Sequence, residues 1–361
     1  MSTMRIVSAA AGSRSSLLCL LALSLVFLLG TTATADLINP GDLLVTVGSV
    51  GMSGDAGVIA VDPKTGKQTI VSMNDNLLQP QAIIVAANGN IYVADQLASN
   101  GGAIIRIDPM IGRQTVVSKD DNFRNGPLGM ALDADGNLIV GDSGARKILR
   151  IDPQTGKQTV ITMTDFNPLG LRVGPSGDIV VADAIDKEII RIDPKTGKQT
   201  VISQGNLLTA GLANVAIEAN GNILASDSGS KSIIRIDPIF NIQTKVSQGG
   251  KLLGPLGLTV GMGSIFVADF QDISMGPSQV VKIDPTNGDQ TVIAMGENIF
   301  NARGITIAPV PEPGTGLLAV TAAVGLALLW WRRARRTRGA RTTPAAQRRT
   351  ASGGDWFDTN Y

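Results

Sequence analysis

Apolar runs rich in Val and Ile alternate with turn residues along most of this chain, and their spacing repeats. In one stretch residues 81–87 are apolar and lead into Asn88-Gly89, a pair suited to a tight hairpin. Residues 91–94 form a second run, and Asp95 opens a loop. Residues 103–107 form a third run that ends at Asp108-Pro109, and residues 114–118 form a fourth with alternating character. Four short strands in about 44 residues match one blade of a β-propeller. Strands that are aliphatic on both faces need a sheet covered on both sides, and a radial stack of blades supplies that cover.

One phrase marks the period. It reads Asp62-Pro63-Lys64-Thr65-Gly66-Lys67-Gln68-Thr69 at its first appearance. The Asp-Pro pair returns at Asp108, Asp152, Asp193, Asp237 and Asp284, at intervals of 46, 44, 41, 44 and 47 residues. In each copy a Gln-Thr pair begins six residues after the Asp. A period in this range marks a repeat architecture. Pro after Asp presets the first central position of a turn, and the later Gly takes a positive φ.

The ends of the repeats predict how the ring closes. Blade 1 begins at its second strand, residues 42–47, with no apolar strand before it. After the sixth Gln-Thr strand the chain adds Arg303-Gly304-Ile305-Thr306-Ile307-Ala308. This run matches the opening strands Leu128-Gly129-Met130-Ala131-Leu132 and Leu256-Gly257-Leu258-Thr259-Val260. The C-terminal strand is therefore expected to complete blade 1 as a "Velcro" joint that removes the exposed edges. The predicted fold is an all-β, six-bladed propeller over residues 36–309.

Composition narrows the chemistry. With 361 residues, 43% hydrophobic and only 4% aromatic, the core must be large and aliphatic. There is no histidine, which removes the commonest general base and metal ligand. Cys19, the single cysteine, lies in a segment expected to be discarded, so no disulfide framework or thiolate site is expected. Residues 36–310 hold 21 Lys and Arg against 27 Asp and Glu, about six net negative charges, whereas residues 332–349 hold eight arginines and no acid. An acidic body with a basic tail argues against a nucleic-acid partner.

Both ends read as addresses. Residues 1–35 form a secretory signal peptide: Arg5 and Arg14 supply the positive start, residues 17–29 an apolar run interrupted by Ser24, and Ala33-Thr34-Ala35 the cleavage pattern. Cleavage after Ala35 leaves Asp36 as the mature start. An apolar run of 13 residues falls short of the roughly 20 that span a bilayer, which argues against an uncleaved anchor. At the other end Val310-Pro311-Glu312-Pro313-Gly314 precedes an apolar run, and Arg332-Arg333-Ala334-Arg335-Arg336 follows it. Residues 310–336 in this order resemble the PEP-CTERM sorting signal of bacterial surface proteins. The resemblance implies recognition by a membrane exosortase. The segment from Gly314 to Trp331, 18 residues at about 1.5 Å each, makes a transmembrane helix of about 27 Å. Trp330 and Trp331 then sit at the interface with the arginines cytoplasmic. An ordinary membrane tether is the alternative, and the polar, Arg-rich and disordered tail expected over residues 337–361 departs from the family pattern.

Within the repeats, Gly136-Asn137-Leu138-Ile139-Val140-Gly141-Asp142-Ser143-Gly144 and Gly221-Asn222-Ile223-Leu224-Ala225-Ser226-Asp227-Ser228-Gly229 resemble the NHL repeat. The Val-Ala-Asp endings at Asp95, Asp183 and Asp269 fit as well. The resemblance spans residues 42–308 and implies a six-bladed propeller. It implies no single activity, because related rings serve as lyases, lactonases or binding modules.

The recurrent acids are assigned to the frame. Asp95, Asp142, Asp183, Asp227 and Asp269 appear once per blade, with Val47 in their place in blade 1, and are expected to accept loop N–H groups. Asp133-Ala134-Asp135-Gly136-Asn137 lacks the later acid of a calcium loop and fits a hairpin. Candidate binding residues lie where blades differ. They are Asn76, Phe123, Phe166 and Glu297 in loops entering the inner strands, where exposed Phe or Leu would suit a carbohydrate or peptide contact and the alternative is polar loops with hydrophobic plugs that seal the blade ends, and Arg172 and Glu218 on inner strands near the channel. No catalytic residue, metal site or cofactor is assigned.

The leading expectation is an exported, surface-sorted binding or scaffold module of the bacterial envelope or extracellular matrix. Its partners would be signal peptidase, an exosortase-like enzyme, the membrane, and a carbohydrate or protein ligand. It would sit at the cell surface or outside the cell, or stay anchored in the inner membrane with the propeller outside the cytoplasm. The alternatives are a lactonase-like or streptogramin-lyase-like enzyme, or a propeller that is simply tethered.

Overall fold

The structure is a computed structural model that describes residues 37–50, 55–119, 122–124, 126–272, 274 and 276–309. Residues 1–309 and 310–361 form separate units, and the propeller belongs to the first. The expected signal peptide with its Ala33–Ala35–Asp36 cleavage site, the sorting segment with Pro311, Glu312, Pro313, Arg332 and Arg333, and the tail lie outside the described residues. Among the described residues no helix is long and apolar enough to cross a membrane.

Six antiparallel sheets of four strands each make up the described body. Blade 1 joins β1 (Leu43–Val50), β2 (Asp55–Val61) and β3 (Gln68–Met73) to the last strand, β24 (Phe300–Ile307). Blade 2 contains β4 (Pro80–Val85), β5 (Ile91–Asp95), β6 (Ala103–Ile107) and β7 (Gln114–Lys119). Blade 3 runs through β8 (Pro127–Leu132), β9 (Leu138–Asp142), β10 (Lys147–Ile151) and β11 (Gln158–Met163). Blade 4 follows with β12 (Leu171–Val173), β13 (Ile179–Asp183), β14 (Glu188–Ile192) and β15 (Gln199–Gln204). Blade 5 has β16 (Leu212–Ile217), β17 (Ile223–Asp227), β18 (Ser232–Asp237) and β19 (Ile242–Gln248). Blade 6 has β20 (Pro255–Gly261), β21 (Ser264–Asp269), β22 (Gln279–Ile283) and β23 (Gln290–Met295).

The inner strands β4, β8, β12, β16, β20 and β24 touch in succession, and β24 meets β4 to close the ring. Closure occurs as the sequence predicts, through a longer strand. β24 starts at Phe300 rather than Arg303, because a bulge between Val45 and Val47 lets pairing continue through Val47–Ala302 to Ser49–Phe300.

Second strands are buried on both faces, as Ile91, Tyr92, Val93, Ala94 and Asp95 show. Side chains alternate between faces. Ile91 and Val93 therefore pack toward blade 1, while Tyr92 and Ala94 pack toward blade 3. The same division gives one apolar cluster at each of the six blade junctions. The core is thus a circle of interfaces.

The repeated phrase builds the polar half of each junction. Asp108 accepts the Met110 and Ile111 N–H groups, and Gly112 turns at φ +67°. The bulged outer strand of blade 1 aims the Val71 carbonyl at Gly112, where a Cβ would collide with it. Ser72 Oγ donates to the Gly112 carbonyl at 2.7 Å, and Gln114 Nε2 donates to Ser72 Oγ at 2.9 Å. Gln114 Oε1 accepts the Asn76 N–H at 2.8 Å. Equivalent bonds link Ser118 with Gln158, Ser203 with Gln243, and Ser247 with Gln290. In blade 5 Asn241 occupies the turn position otherwise held by Gly, with φ +51°.

At Gly112 glycine therefore serves space as well as φ. Gly89, at φ +84° in an open hairpin, has nothing near an added Cβ. Gly89→Ala is expected to cost about 1 kcal/mol, the usual penalty of the left-handed region. Gly112→Ala must also displace the Val71 carbonyl and should cost at least about twice as much. Urea unfolding of the two variants checks the ratio; equal losses would mean that the outer strand yields freely.

Candidate functional site at the channel mouth

Loops that enter the inner strands cluster on one face of the ring, here the mouth face. The Asn-Gly hairpins and Asp-Pro turns lie on the opposite, turn face. On the mouth face a cavity of about 180 Å³ sits over the central channel. All six blades contribute to it. The same register position carries Gln81, Leu128, Leu169, Ala213, Leu256 and Arg303, and the next position adds Gly170, Asn214 and Gly257.

Glycine brings the wall strands together. A Cβ at Gly129 would strike the Leu169 carbonyl, one at Gly257 the Arg303 carbonyl, and one at Gly304 the Gln81 carbonyl. Thr46 Oγ1 completes the seam by accepting the Gly304 N–H at 2.7 Å and donating to the Gln81 carbonyl at 3.1 Å.

Arg303 is the one ionisable side chain lining this cavity. Its Nη1 donates to Gln81 Oε1 at 3.3 Å, and its guanidinium carbon lies 5.6 Å from the centre of the Phe270 ring, within cation–π range. Its Nε is the one buried side-chain nitrogen or oxygen among the described residues with no hydrogen-bond partner. Burial pushes the Arg303 guanidinium below its ordinary value.

Arg172 lies deeper. It donates from Nη1 to the Leu171 carbonyl at 2.9 Å and from Nη2 across the channel to the Leu258 carbonyl at 3.0 Å. It therefore ties blade 4 to blade 6 by using inner-strand carbonyls that have no strand beside them. Burial pushes its guanidinium down to about 10. Neither Arg172 nor Arg303 has an ion-pair partner among the described residues.

The other sequence candidates are dispersed. Glu218 holds Arg235 through two bonds of 2.7 and 2.8 Å on the turn face, and Arg235 reaches the Pro285 carbonyl of blade 6 at 3.1 Å. Asp133–Arg150 occupies the same register in blade 3, so Glu218 is part of a repeated brace, away from the mouth. Phe123 and Phe166 take the plug alternative and not the exposed one. They are 4% and 2% exposed and sit in junction clusters. Leu77, Leu208, Leu252 and Ile299 are buried from the corresponding loops of the other blades, so each loop drops an apolar plug onto the strands below. The backbone of Asn76 belongs to the Gln114 joint, and Glu297 is exposed at a positive-φ turn beside Asn298, whose N–H meets Gln68 Oε1 at 3.0 Å. The structure does not gather these six residues into one site. Arg303 was missed as a candidate, although its alignment with Leu128 and Leu256 marks an Arg where other blades have Leu.

The once-per-blade acids are fully buried and serve their loops. Asp95 accepts the Leu78, Gln79, Leu97 and Ala98 N–H groups. Asp142 takes those of Arg124 and Ala145, Asp183 those of Ile185 and Asp186, and Asp269 those of Leu253 and Gly254. Burial pushes Asp95, Asp142, Asp183 and Asp269 up, overcoming these bonds. A wider cleft of about 600 Å³ in blade 4 brings Asp165, Asp183, Asp186 and Glu188 around Phe166. Burial and then the neighbouring acids also push Glu188 up.

No protein-family model matches the chain, and no curated protein matches it. Solved structures match the fold. A chain from the nidogen/laminin complex superposes with a TM-score of 0.61 and 17% identity, covering 74% of this chain and 98% of that one. Selenomethionine-substituted virginiamycin B lyase from Staphylococcus aureus superposes with a TM-score of 0.46 and 20% identity, covering 66% of this chain and 72% of that one. At 17% identity the likeness to the nidogen/laminin chain extends to the propeller fold alone.

The buried acids make stability depend on pH. A carboxyl raised in the folded chain holds its proton more tightly there than when unfolded, so its stabilising contribution is complete below the ordinary value of 3.8 and is lost as pH rises through the folded value. Asp62, Asp152 and Asp193 are lowered by N–H bonds, so their contribution is present above 3.8 and is lost as pH falls through their folded values. Urea midpoints should peak in mild acid and decline on both sides. Asp95→Asn should flatten the decline toward neutral pH while lowering stability by about 1–3 kcal/mol, because an amide cannot serve the same donors. An unchanged pH profile in that variant would remove Asp95 as a source.

Proposed function

We propose that this propeller is an exported, surface-sorted binding or scaffold module of the bacterial envelope or extracellular matrix. The observation that carries the reading is the contrast between junction and mouth. The junctions repeat nearly unchanged around the ring, whereas the register position at the mouth reads Gln, Leu, Leu, Ala, Leu and Arg. Variation concentrated over one concave surface suits recognition. General acid–base catalysis works best with a group titrating near the working pH, whereas a guanidinium stays charged throughout that range.

The end segments support export and sorting. In this reading Asp36 begins the mature chain, Pro311-Glu312-Pro313 marks the sorting site, the segment from Gly314 to Trp331 enters the membrane, and Arg332 and Arg333 hold its cytoplasmic side. Intact-mass measurement of the protein recovered from cells should give a chain starting at Asp36 and lacking Tyr361. Replacing Pro311-Glu312-Pro313 with three alanines should restore the Tyr361 end. A wild-type chain that keeps Tyr361 would instead establish a plain tether.

For the propeller itself, capture of envelope polysaccharide or protein on the immobilised chain is the expected result. Steady turnover of a hydrolase or lyase substrate, lost on mutation of a channel residue, would favour the enzyme reading.

A further inference from the structure

We infer that the mouth cavity recognises a small organic carboxylate, its charged end on Arg303 and its apolar end on Leu128, Leu169 and Leu256. This rests on reading the propeller as a binding module and names the chemistry of its ligand.

Three observations lead there. First, the lining is split by chemistry. Blades 3, 4 and 6 supply Leu128, Leu169 and Leu256, while blades 1 and 2 supply Arg303 and Gln81, and no carboxylate lines the cavity. Arg172 adds a second cation below this floor through its bond to the Leu258 carbonyl, next to Gly257.

Second, Arg303 is held in place with its binding edge unused. Phe270 lies against the guanidinium from blade 6, and Gln81 takes Nη1 from blade 2. Nε has no partner, and Nη2 makes no hydrogen bond among the described residues. Nε–H and Nη2–H form the parallel pair of donors that matches the two oxygens of a carboxylate. Nε is shielded from water and has no acceptor among the described residues, so the fork meets a carboxylate once the guanidinium turns toward the mouth, and the anion then supplies what the fold leaves missing.

Third, size limits the part of a ligand that the cavity can enclose. A volume of about 180 Å³ is below the roughly 300–1,000 Å³ of drug-sized pockets. It equals about six water volumes at about 30 Å³ each. An anion of about that many heavy atoms fits, with a short aliphatic tail to cover the leucines.

Butyrate and butyramide test this, because they share size and tail and differ in charge. Each is titrated by calorimetry into the full chain held in lipid nanodiscs. Butyrate should bind at least about ten-fold more tightly. Arg303→Leu, which installs the residue of blades 3, 4 and 6, should abolish the difference. Arg303→Lys, which keeps the charge and loses the fork, should retain only part of it. Equal affinity of the wild-type chain for both probes, no binding of either, or a butyrate preference that survives in R303L overturns the inference. The wild-type comparison stands even where a variant fails to fold. The two readings fail separately. A chain that captures envelope polymer and ignores the charge of the probe loses only the carboxylate site, and a chain that prefers butyrate and turns over a substrate loses only the module reading.

Discussion

The blade-to-blade joint is the constraint on which this ring rests. A sheet of four strands cannot bury both faces by itself, and Ile91, Tyr92, Val93 and Ala94 are buried because blades 1 and 3 stand on either side. The Asp-Pro turn, the Gly with positive φ and the Gln that follows set the spacing. Gly112 admits the Val71 carbonyl, and Gln114 clips the exit loop at Asn76. At Gly112 a side chain would meet the Val71 carbonyl, so a larger residue there changes how closely blade 2 can sit on blade 1. In a closed ring such errors have no free end through which to relax.

Closure turns the joint into a ring. Gln68 in blade 1 takes the Asn298 N–H from the loop after blade 6, so the first and last repeats are clipped as the internal ones are. Ala294 stands in blade 6 where the other outer strands carry Ser or, in blade 3, Thr162, and this junction relies more on the apolar cluster that contains Ala294, Ile299, Ala302 and Ile305. The inner strands meet a second limit. Gly129, Gly257 and Gly304 each abut a neighbouring carbonyl, which draws the inner strands into a narrow channel and leaves a shallow cavity above it.

The sequence revealed most of this frame, because a frame built by repetition shows itself through repetition. The six Asp-Pro turns, the aliphatic second strands and the supernumerary last strand all had local signals. The site was harder to read. Phe123 and Phe166 could be read from the sequence either as ligand contacts or as plugs, and the tertiary structure shows them turned down into the junction clusters. Glu218 appeared solitary because its partner, Arg235, is two strands away on the same blade. The outward side of each inner strand depends on neighbours distant in sequence, so Arg303 drew notice as a closing-strand residue and not as the odd member of a six-residue ring.

Repetition also separates the two kinds of charge in this molecule. A charged group present in every blade meets the same environment each time, and its partner can be built into the repeat, as the loop N–H groups are for Asp95 and Asp269. A charged group that occurs once has no such provision. Arg172 resolves this by taking backbone carbonyls at the channel edge. Arg303 uses one nitrogen on Gln81 and leaves Nε without an acceptor. A leucine, as in three other blades, would remove that burden, and the carboxylate proposed above would meet it instead.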